Sequence, residues 1–247
     1  MPPILAFVGA KGGTLKTASV AAVSHLLAEA GARVVMVDFD PQADLTSRSG
    51  FARLSEPLGA DPVQVRYPRE PELDLWLLRG GRPLEGIDFE AALRHLGRAA
   101  GMAADVVVVD TPPALGPITT AAVREASLVI VPAVPGREGV ERANDVLALA
   151  WAQPRPPEVR ILLTLAHLRS NLFHWTLREV DRHYPRLRLE PVVPFEMPAG
   201  ESALFDRPVT VSARKSRSAL AYAAVAAEAR RLLGIEPLAR ARVGEAA

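Results

Sequence analysis

Short apolar runs alternate with amphipathic, helix-period segments along most of this 247-residue chain, and no other feature constrains its fold more. Apolar runs of this length suit strands that are buried on both faces of a parallel sheet. The predicted strands are Ile4–Val8, Arg33–Val37, Leu73–Leu78, Val106–Val109, Leu128–Val131, Val159–Leu165 and Leu189–Val193. The predicted helices are Thr17–Ala30, Phe89–Ala100, Ile118–Ala126, Val140–Trp151, Leu172–His183 and Ser218–Leu233. We therefore predict an α/β fold: a doubly wound, mostly parallel sheet with helices on both faces.

The chain is expected to form one domain over residues 1–247, because its length and its 49% hydrophobic content suffice for a single core. Prolines make Phe51–Glu72 irregular, and we interpret this stretch as an excursion from the same domain. No apolar run approaches about 18 residues, so no membrane-spanning helix is expected and the cytoplasm is the predicted compartment.

Composition removes several classes of site. The sequence has no Cys, which excludes disulfides, thiolate metal sites, iron–sulfur clusters and Cys nucleophiles. Only three of its 29 cationic side chains are lysines: Lys11, Lys16 and Lys215. Because the chain otherwise uses Arg, a retained Lys indicates a position that needs a compact ammonium group.

A glycine-rich loop, Gly9–Thr17, follows the first predicted strand and opens the first predicted helix. Backbone N–H groups of such a loop, together with the helix N-terminus, can surround phosphate oxygens. Lys16 would neutralise the phosphates and the Thr17 hydroxyl would bind Mg²⁺. The strict pattern has Gly where this chain has Leu15, which costs roughly 1–3 kcal/mol if the backbone needs a positive φ. A glycine-rich turn that binds no nucleotide is the alternative.

Two carboxylates complete this predicted site. Asp38 and Asp110 each follow a buried strand, and the carboxyl ends of parallel strands meet at one edge of the sheet. Carboxylate oxygens there would hold Mg²⁺. A lone Asp at a strand end is more often a turn or cap residue, but the combination with Lys11, Lys16 and Thr17 favours a nucleotide site.

At this point the chain resembles the ParA/MinD family of deviant Walker A ATPases. Lys11–Thr17 is similar to the family's phosphate loop with its extra Lys, Val37–Thr46 to its D-x-D-P-Q stretch, and Val107–Gly116 to its Walker B segment. Val192–Phe195 and Arg207–Val209 resemble later landmarks near the adenine site. These stretches occur in the family's order and cover most of the chain.

The resemblance implies ATP and Mg²⁺ as cofactors and assigns roles to residues. Lys11, Lys16 and Asp40 would be catalytic: Asp40 would orient the attacking water, and Lys11 would reach the phosphates of a partner subunit in an ATP-dependent homodimer. Mg²⁺ would be held by Thr17, Asp38 and Asp110. The ATP-binding residues would be Lys11, Gly12, Gly13, Thr14, Leu15, Lys16, Thr17, Ala18, Pro194, Phe195 and Met197.

Within the family, the features favour a small ParA-type DNA partition ATPase. Residues 207–242 carry eight basic and two acidic side chains, a net charge of +6 in a chain whose total is +1. Such a segment would bind DNA phosphates without sequence preference, with Arg207, Arg214, Lys215 and Arg217 as the expected contacts. The resemblance adds a ParB-type partner that stimulates hydrolysis, and a nucleoid-associated location. A solvated, Arg-rich face is the alternative for this segment.

Three other functions stay open. The first is an ATP-dependent metabolic ligase of the same superfamily, and the second is a nucleotide-binding scaffold that does not hydrolyse ATP. MinD-like positioning is the third, but Pro237–Val243 is short and has no bulky aromatic anchor for a membrane. Because the chain begins at its first predicted strand, no additional DNA-reading arm is expected.

Overall fold

The structure, a computed structural model, describes residues 1–52, 62–67, 72–81, 89–196 and 207–235. The strands are β1 (Ile4–Phe7), β2 (Val34–Asp38), β3 (Val63–Gln64), β4 (Leu75–Leu78), β5 (Val106–Asp110), β6 (Leu128–Ala133) and β7 (Glu158–Leu163). The helices are α1 (Lys16–Glu29), α2 (Asp44–Arg48), α3 (Phe89–Gly101), α4 (Pro117–Glu125), α5 (Arg137–Trp151), α6 (Asn171–His183), α7 (Val209–Ser212) and α8 (Arg217–Leu233).

The strands form one seven-stranded sheet in the order β3-β4-β2-β5-β1-β6-β7. Among the described strands only the β3–β4 pair is antiparallel, so the sheet is mostly parallel as predicted. In the register of the central strands, Asp110 lies opposite Phe7 of β1 and Asp38 of β2. The two carboxylates predicted to form a site are therefore neighbours at the carboxyl edge of the sheet.

Side chains on each strand alternate between two hydrophobic clusters, one on each face of the sheet. Leu5 and Phe7 belong to the cluster that α1 and α8 cover, whereas Ile4 and Ala6 belong to the cluster that α3 to α6 cover. This arrangement confirms the prediction of a doubly wound sheet with helices on both faces. Within the described part of the chain, no helix has the length and apolar character needed to cross a membrane.

The six predicted helices are present, and no end is shifted by more than three residues. Local capping explains several of these ends: the Ser170 side chain accepts a hydrogen bond from Phe173 N at the start of α6, and Ser216 accepts one from Ala219 N at the start of α8. Gly234, with φ 64°, ends α8 in the left-handed conformation that glycine adopts without strain.

The prediction of a strand over Leu189–Val193 is wrong. This segment runs beside β7 but forms only isolated bridges, Ile161 with Arg188 and Ala166 with Pro194. Leu189 N and Val193 N donate to β7 carbonyls, but Pro191, which lies between them, has no N–H to donate. The ladder is therefore interrupted. In the predicted irregular region, β3 is a two-residue strand, and residues 53–61 and 68–71 lie outside the described residues.

Candidate nucleotide site

The phosphate loop joins β1 to α1 at the carboxyl edge of the sheet. Gly13 and Leu15 both have left-handed backbone, with φ 77° and 61°, and α1 begins directly afterwards at Lys16. A residue with a Cβ pays roughly 1–2 kcal/mol in this conformation, so the strain predicted for Leu15 is present. The Leu15 side chain packs against the core on the α1 side. The first N–H groups of α1 have no partner within the helix and can bind phosphate oxygens.

Lys16 and Asp110 form the buried centre of the site. Lys16 is 7% exposed, and its Nζ lies 3.8 Å from Oδ1 of the fully buried Asp110. Neither Asp110 oxygen has a well-formed hydrogen bond within the described residues. Burial raises the pKa of Asp110, although the charge of Lys16 and the nearby Thr17 hydroxyl oppose this shift. A buried carboxylate whose oxygens lack a well-formed hydrogen bond is suited to binding a cation.

Asp38 is equally buried but is hydrogen-bonded. Its Oδ2 accepts bonds from Thr46 N (2.8 Å) and Thr46 Oγ1 (2.6 Å), and its Oδ1 accepts one from Asp40 N at 3.2 Å. Burial and the negative charge of Asp110 raise the pKa of Asp38, and the bonds from Thr46 and Asp40 oppose them. The two carboxylates thus lie side by side, and burying two negative charges so close together costs free energy. A bound cation would remove this cost.

Asp40 lies in a tight turn after β2. Its Oδ1 accepts a hydrogen bond from Gln42 N at 2.9 Å, and its carbonyl accepts one from Ala43 N at 2.8 Å. Ala43 has φ 53°, so it is the second residue other than glycine, after Leu15, that has left-handed backbone at this site. Asp40 is close enough to raise the pKa of Asp110 through its negative charge. Residues held in such backbone conformations often cluster at functional sites.

Lys11 occupies the rim of a pocket of about 380 Å³ that lies between the phosphate loop and the start of α5. It is about half exposed, and its Nζ lies 2.7 Å from Oε2 of Glu138, a residue in the first turn of α5. The charge and hydrogen bond of Lys11 lower the pKa of Glu138. Arg142 and Leu165 also line this pocket. Lys11 is therefore not buried with Lys16 but held at the surface by a residue that the sequence did not single out.

The predicted ATP-binding residues outside the phosphate loop divide between two places. Pro194 is buried at the end of the segment beside β7, whereas Phe195 is 50% exposed. The centroid of the Phe195 ring lies 4.6 Å from that of His167, with the two rings tilted by 32°. Ala18 lines a small pocket with Leu15 and Arg207 on the α8 side. Met197 lies outside the described residues.

Arg214 and Arg217, both predicted DNA contacts, are in ion pairs. Arg214 donates two hydrogen bonds of 2.8 Å to Glu29, and Arg217 Nε donates one of 2.6 Å to Glu196. Lys215 is exposed, and Arg207 is half-buried beside Pro208. Residues 236–242 of the basic segment, including Arg240 and Arg242, lie outside the described residues.

The site fits Mg²⁺ and a nucleotide. No group of three or more His, Asp or Glu side chains converges on a metal position within the described residues. Magnesium in nucleotide sites needs no such group, since it takes one or two protein ligands and completes its shell with phosphate oxygens and water. Asp110, whose oxygens lack a well-formed hydrogen bond, and the neighbouring Thr17 supply such protein ligands, and the exposed glycines of the phosphate loop leave room for phosphate.

Among the contacts that sequence reasoning missed, three involve the predicted site residues Asp38, Lys11 and Arg217. Thr46 fixes Asp38, Glu138 binds Lys11, and Glu196 binds Arg217. Thr46 falls within the stretch that resembles the family, but nothing in the pattern assigned it a role. The two glutamates carry no sequence signal, because each contacts a residue on a different element.

The fold and the loop define a P-loop nucleotide-binding protein of the doubly wound α/β class. Residues 5–194 match the family model of the CobQ/CobB/MinD/ParA nucleotide binding domain. The chain belongs to this family, whose ParA/MinD members are nucleotide-binding ATPases. The resemblance noted from the motifs is confirmed.

Chromosome-partitioning proteins are among the relatives. The chain is 27% identical over 252 residues to the chromosome partitioning protein ParA of Myxococcus xanthus, an alignment that covers 91% of this chain and 87% of that protein. It is 29% identical over 241 residues to the chromosome-partitioning ATPase Soj of Thermus thermophilus, covering 91% and 94%.

Solved structures agree on the fold. The septum site-determining protein MinD of Pyrococcus horikoshii, complexed with Mg-ADP, superposes with a TM-score of 0.79 at 22% identity, covering 95% of this chain and 98% of that one. Cobyrinic acid a,c-diamide synthase of Mycobacterium smegmatis, with bound ADP and magnesium, gives 0.72 at 26% identity, covering 96% and 98%.

Proposed function

We propose that this protein is a DNA partition ATPase. Its ATP-bound homodimer binds double-stranded DNA without sequence preference, and a ParB-type centromere-binding partner stimulates hydrolysis and release. The observation that carries the proposal is the buried Lys16–Asp110 pair under a glycine loop whose outer lysine, Lys11, stays at the surface. The ParA and Soj relatives, which align with most of the chain, support it.

The phosphate chemistry follows from burial and charge. The Lys16 ammonium would bind the terminal phosphates, where low exposure strengthens its attraction for an anion. Thr17, Asp38 and Asp110 would hold Mg²⁺, which neutralises charge on the phosphates when bound. Asp40 would orient the attacking water from the turn that follows β2. Phe195, exposed beside the loop segment of His167, would pack against the adenine.

Lys11 would complete the site of a second subunit. It is exposed and is paired in this chain only with a half-exposed glutamate among the described residues, so the pair is weak in water. Triphosphate carries more negative charge than Glu138 and would compete for the ammonium group. A lysine that contacts nucleotide across an interface makes dimer formation depend on ATP.

The candidate DNA contacts are Arg207, Arg214, Lys215 and Arg217, all near the start of α8. DNA phosphates would replace Glu29 and Glu196 as partners of the two paired arginines. Because this exchange is purely electrostatic, the binding should be insensitive to sequence and sensitive to salt.

ATP turnover and ATP affinity in three proteins test the proposal. We expect the wild type to turn over slowly alone, because a partner-supplied cation is worth about 10³–10⁵ in rate. Lys16→Ala should lose ATP binding. Asp40→Ala should keep ATP and DNA binding but lose at least about tenfold in turnover, as expected for loss of a water-positioning group. Fast turnover without DNA or partner, or wild-type turnover by Asp40→Ala, would contradict the proposal.

An ATP-dependent metabolic ligase is the second candidate. The pocket of about 380 Å³ beside the phosphate loop favours it, since Lys11 and Arg142 could bind an anionic substrate there. ATP binding together with no affinity for DNA would support this candidate over partition.

A further inference from the structure

Thr46, in the first turn of α2, links three parts of the site. It is fully buried, and its Oγ1 donates a hydrogen bond of 2.6 Å to Asp38 Oδ2 while its backbone N donates one of 2.8 Å to the same oxygen. Gly80 N, just after β4, donates a hydrogen bond of 2.8 Å to Thr46 Oγ1. Since a backbone N–H can only donate, the Thr46 hydroxyl proton must point to Asp38.

Gly80 closes the other side of the same carboxylate. A Cβ at this position would lie 2.7 Å from Asp38 Cγ and 2.8 Å from the Asp38 carbonyl oxygen. Real Cβ atoms do not approach backbone so closely, so only glycine fits here. Thr46 and Gly80 therefore enclose the Asp38 carboxylate between α2 and the end of β4, and we call these two residues the Asp38 bracket.

The two oxygens of the Asp38 carboxylate have different hydrogen-bond partners. Oδ2 is occupied by both donors of Thr46, whereas Oδ1 accepts one long bond, 3.2 Å, from Asp40 N within the described residues. Oδ1 thus keeps capacity for a further ligand. The same contact ties the position of Asp38 to the backbone of Asp40.

We propose that Thr46 is a positioning residue of the nucleotide site: through its hydroxyl it holds Asp38 so that Oδ1 and the Asp40 turn are presented to Mg²⁺-bound nucleotide. The inference rests on the proposed function, since it takes Asp38 as part of the Mg²⁺ site. Removing a group that orients a metal-site carboxylate typically lowers metal affinity or activity about 10–100-fold. In this role Thr46 acts through Asp38, to which its hydroxyl and its backbone N both donate.

The affinity for a non-hydrolysable ATP analogue, measured in excess EDTA and in excess Mg²⁺, tests this role. Thr46→Val keeps the shape of the side chain and removes the hydroxyl, and Thr46→Ser keeps the hydroxyl. We expect Thr46→Val to weaken binding about tenfold or more in Mg²⁺ and to leave the affinity in EDTA unchanged. Thr46→Ser should match the wild type in both conditions.

Two further variants make the test decisive. Thr46→Ala also removes the hydroxyl and places no extra methyl group beside Gly80 N, so it should show the same Mg²⁺-specific loss, and it decides the matter if Thr46→Val does not fold. In an Asp38→Asn background, Thr46→Val should add no further loss, because the group it positions is gone.

Each outcome bears on a different claim. Equal losses in EDTA and Mg²⁺, or no loss in either, would overturn the positioning role while leaving the proposed function intact. If the wild type itself bound the analogue no better in Mg²⁺ than in EDTA, the Mg²⁺ site and the proposed function would fall, and this inference with them.

Discussion

Leu15 and Ala43 hold left-handed backbone on the two loops that border the nucleotide site, with φ 61° and 53°. The phosphate-loop pattern indicated the strain at Leu15 directly, because it has glycine there. The strain at Ala43 was not predicted, since it depends on how the turn after Asp40 enters α2. The positive φ was therefore predictable at Leu15, where a motif fixes the backbone, and was not predictable at Ala43, where no motif does.

Replacing Leu15 separates its strain from its packing. Leu15→Gly and Leu15→Ala both remove the contacts of the side chain with the core, but only glycine adopts the left-handed conformation without cost. We expect Leu15→Gly to be more stable than Leu15→Ala by about 1 kcal/mol. Urea unfolding of the two variants measures the difference. Equal stabilities would mean that position 15 does not need a positive φ.

Glu138 shows the limit of prediction for single residues. Its partner Lys11 was identified from the motif, but the two are 127 residues apart in the chain. Only the parallel order of β1 and β6 brings the phosphate loop and the start of α5 together. A contact of this kind follows from topology and cannot be derived from spacing.

At the scale of elements, the predicted helices and six of the seven predicted strands are present, because continuous apolar runs mark the buried strands and amphipathic segments mark most of the helices. The remaining predicted strand, Leu189–Val193, has a strand-like composition but contains Pro191. Because proline has no N–H to donate, it interrupts the ladder of hydrogen bonds at this position. The antiparallel β3 and the short α2 and α7 gave no periodic signal, since they span only two to five residues.

Helix α3 carries a pH-sensitive contact behind the site. His95 is buried with its ring 5.4 Å from that of Phe39, the residue between Asp38 and Asp40, and neither ring nitrogen has a hydrogen-bond partner in the described part of the chain. Burial, assisted by the charge of Arg98, lowers the pKa of His95 to about 4.

This shift makes stability fall with acid. Between about pH 6.5 and pH 4 the unfolded chain binds a proton at position 95 that the folded chain excludes, so the unfolding free energy decreases as pH falls. From pH 7 to pH 5 His95 should contribute a loss of about 2 kcal/mol. Urea unfolding at both pH values should show a smaller loss for His95→Leu than for the wild type. An identical pH dependence in both proteins would exclude this role.

At the scale of the whole molecule, α1 and α8 join the nucleotide site to the basic residues. Ser19 Oγ, one turn into α1, lies 3.1 Å from the buried Tyr222 hydroxyl of α8. At the start of α8, Glu196 binds Arg217 Nε and also accepts a bond of 2.9 Å from Ser218 N. The segment that contains Phe195 is therefore attached to the helix that carries a candidate DNA contact.

The fold and the phosphate side of the site were predictable because glycines, lysines and strand-end carboxylates carry their chemistry in sequence. The basic segment was predictable only as a net charge. That Arg214 and Arg217 are paired with Glu29 and Glu196 required the packing of α8 against α1 and the segment beside β7. If Arg214 and Arg217 bind DNA phosphates as proposed, the phosphates must displace those carboxylates.

The affinity for random-sequence duplex DNA, measured with ATP, with ADP and without nucleotide at two salt concentrations, tests the central claim most directly. Lys11→Ala is the matched variant. We expect binding with ATP only, a loss of about 100-fold between about 50 and 200 mM salt if four cations engage phosphates, and no ATP-dependent binding by Lys11→Ala. DNA binding that is the same with and without nucleotide would contradict a nucleotide-gated partition ATPase. So would a protein that binds ATP but does not bind DNA.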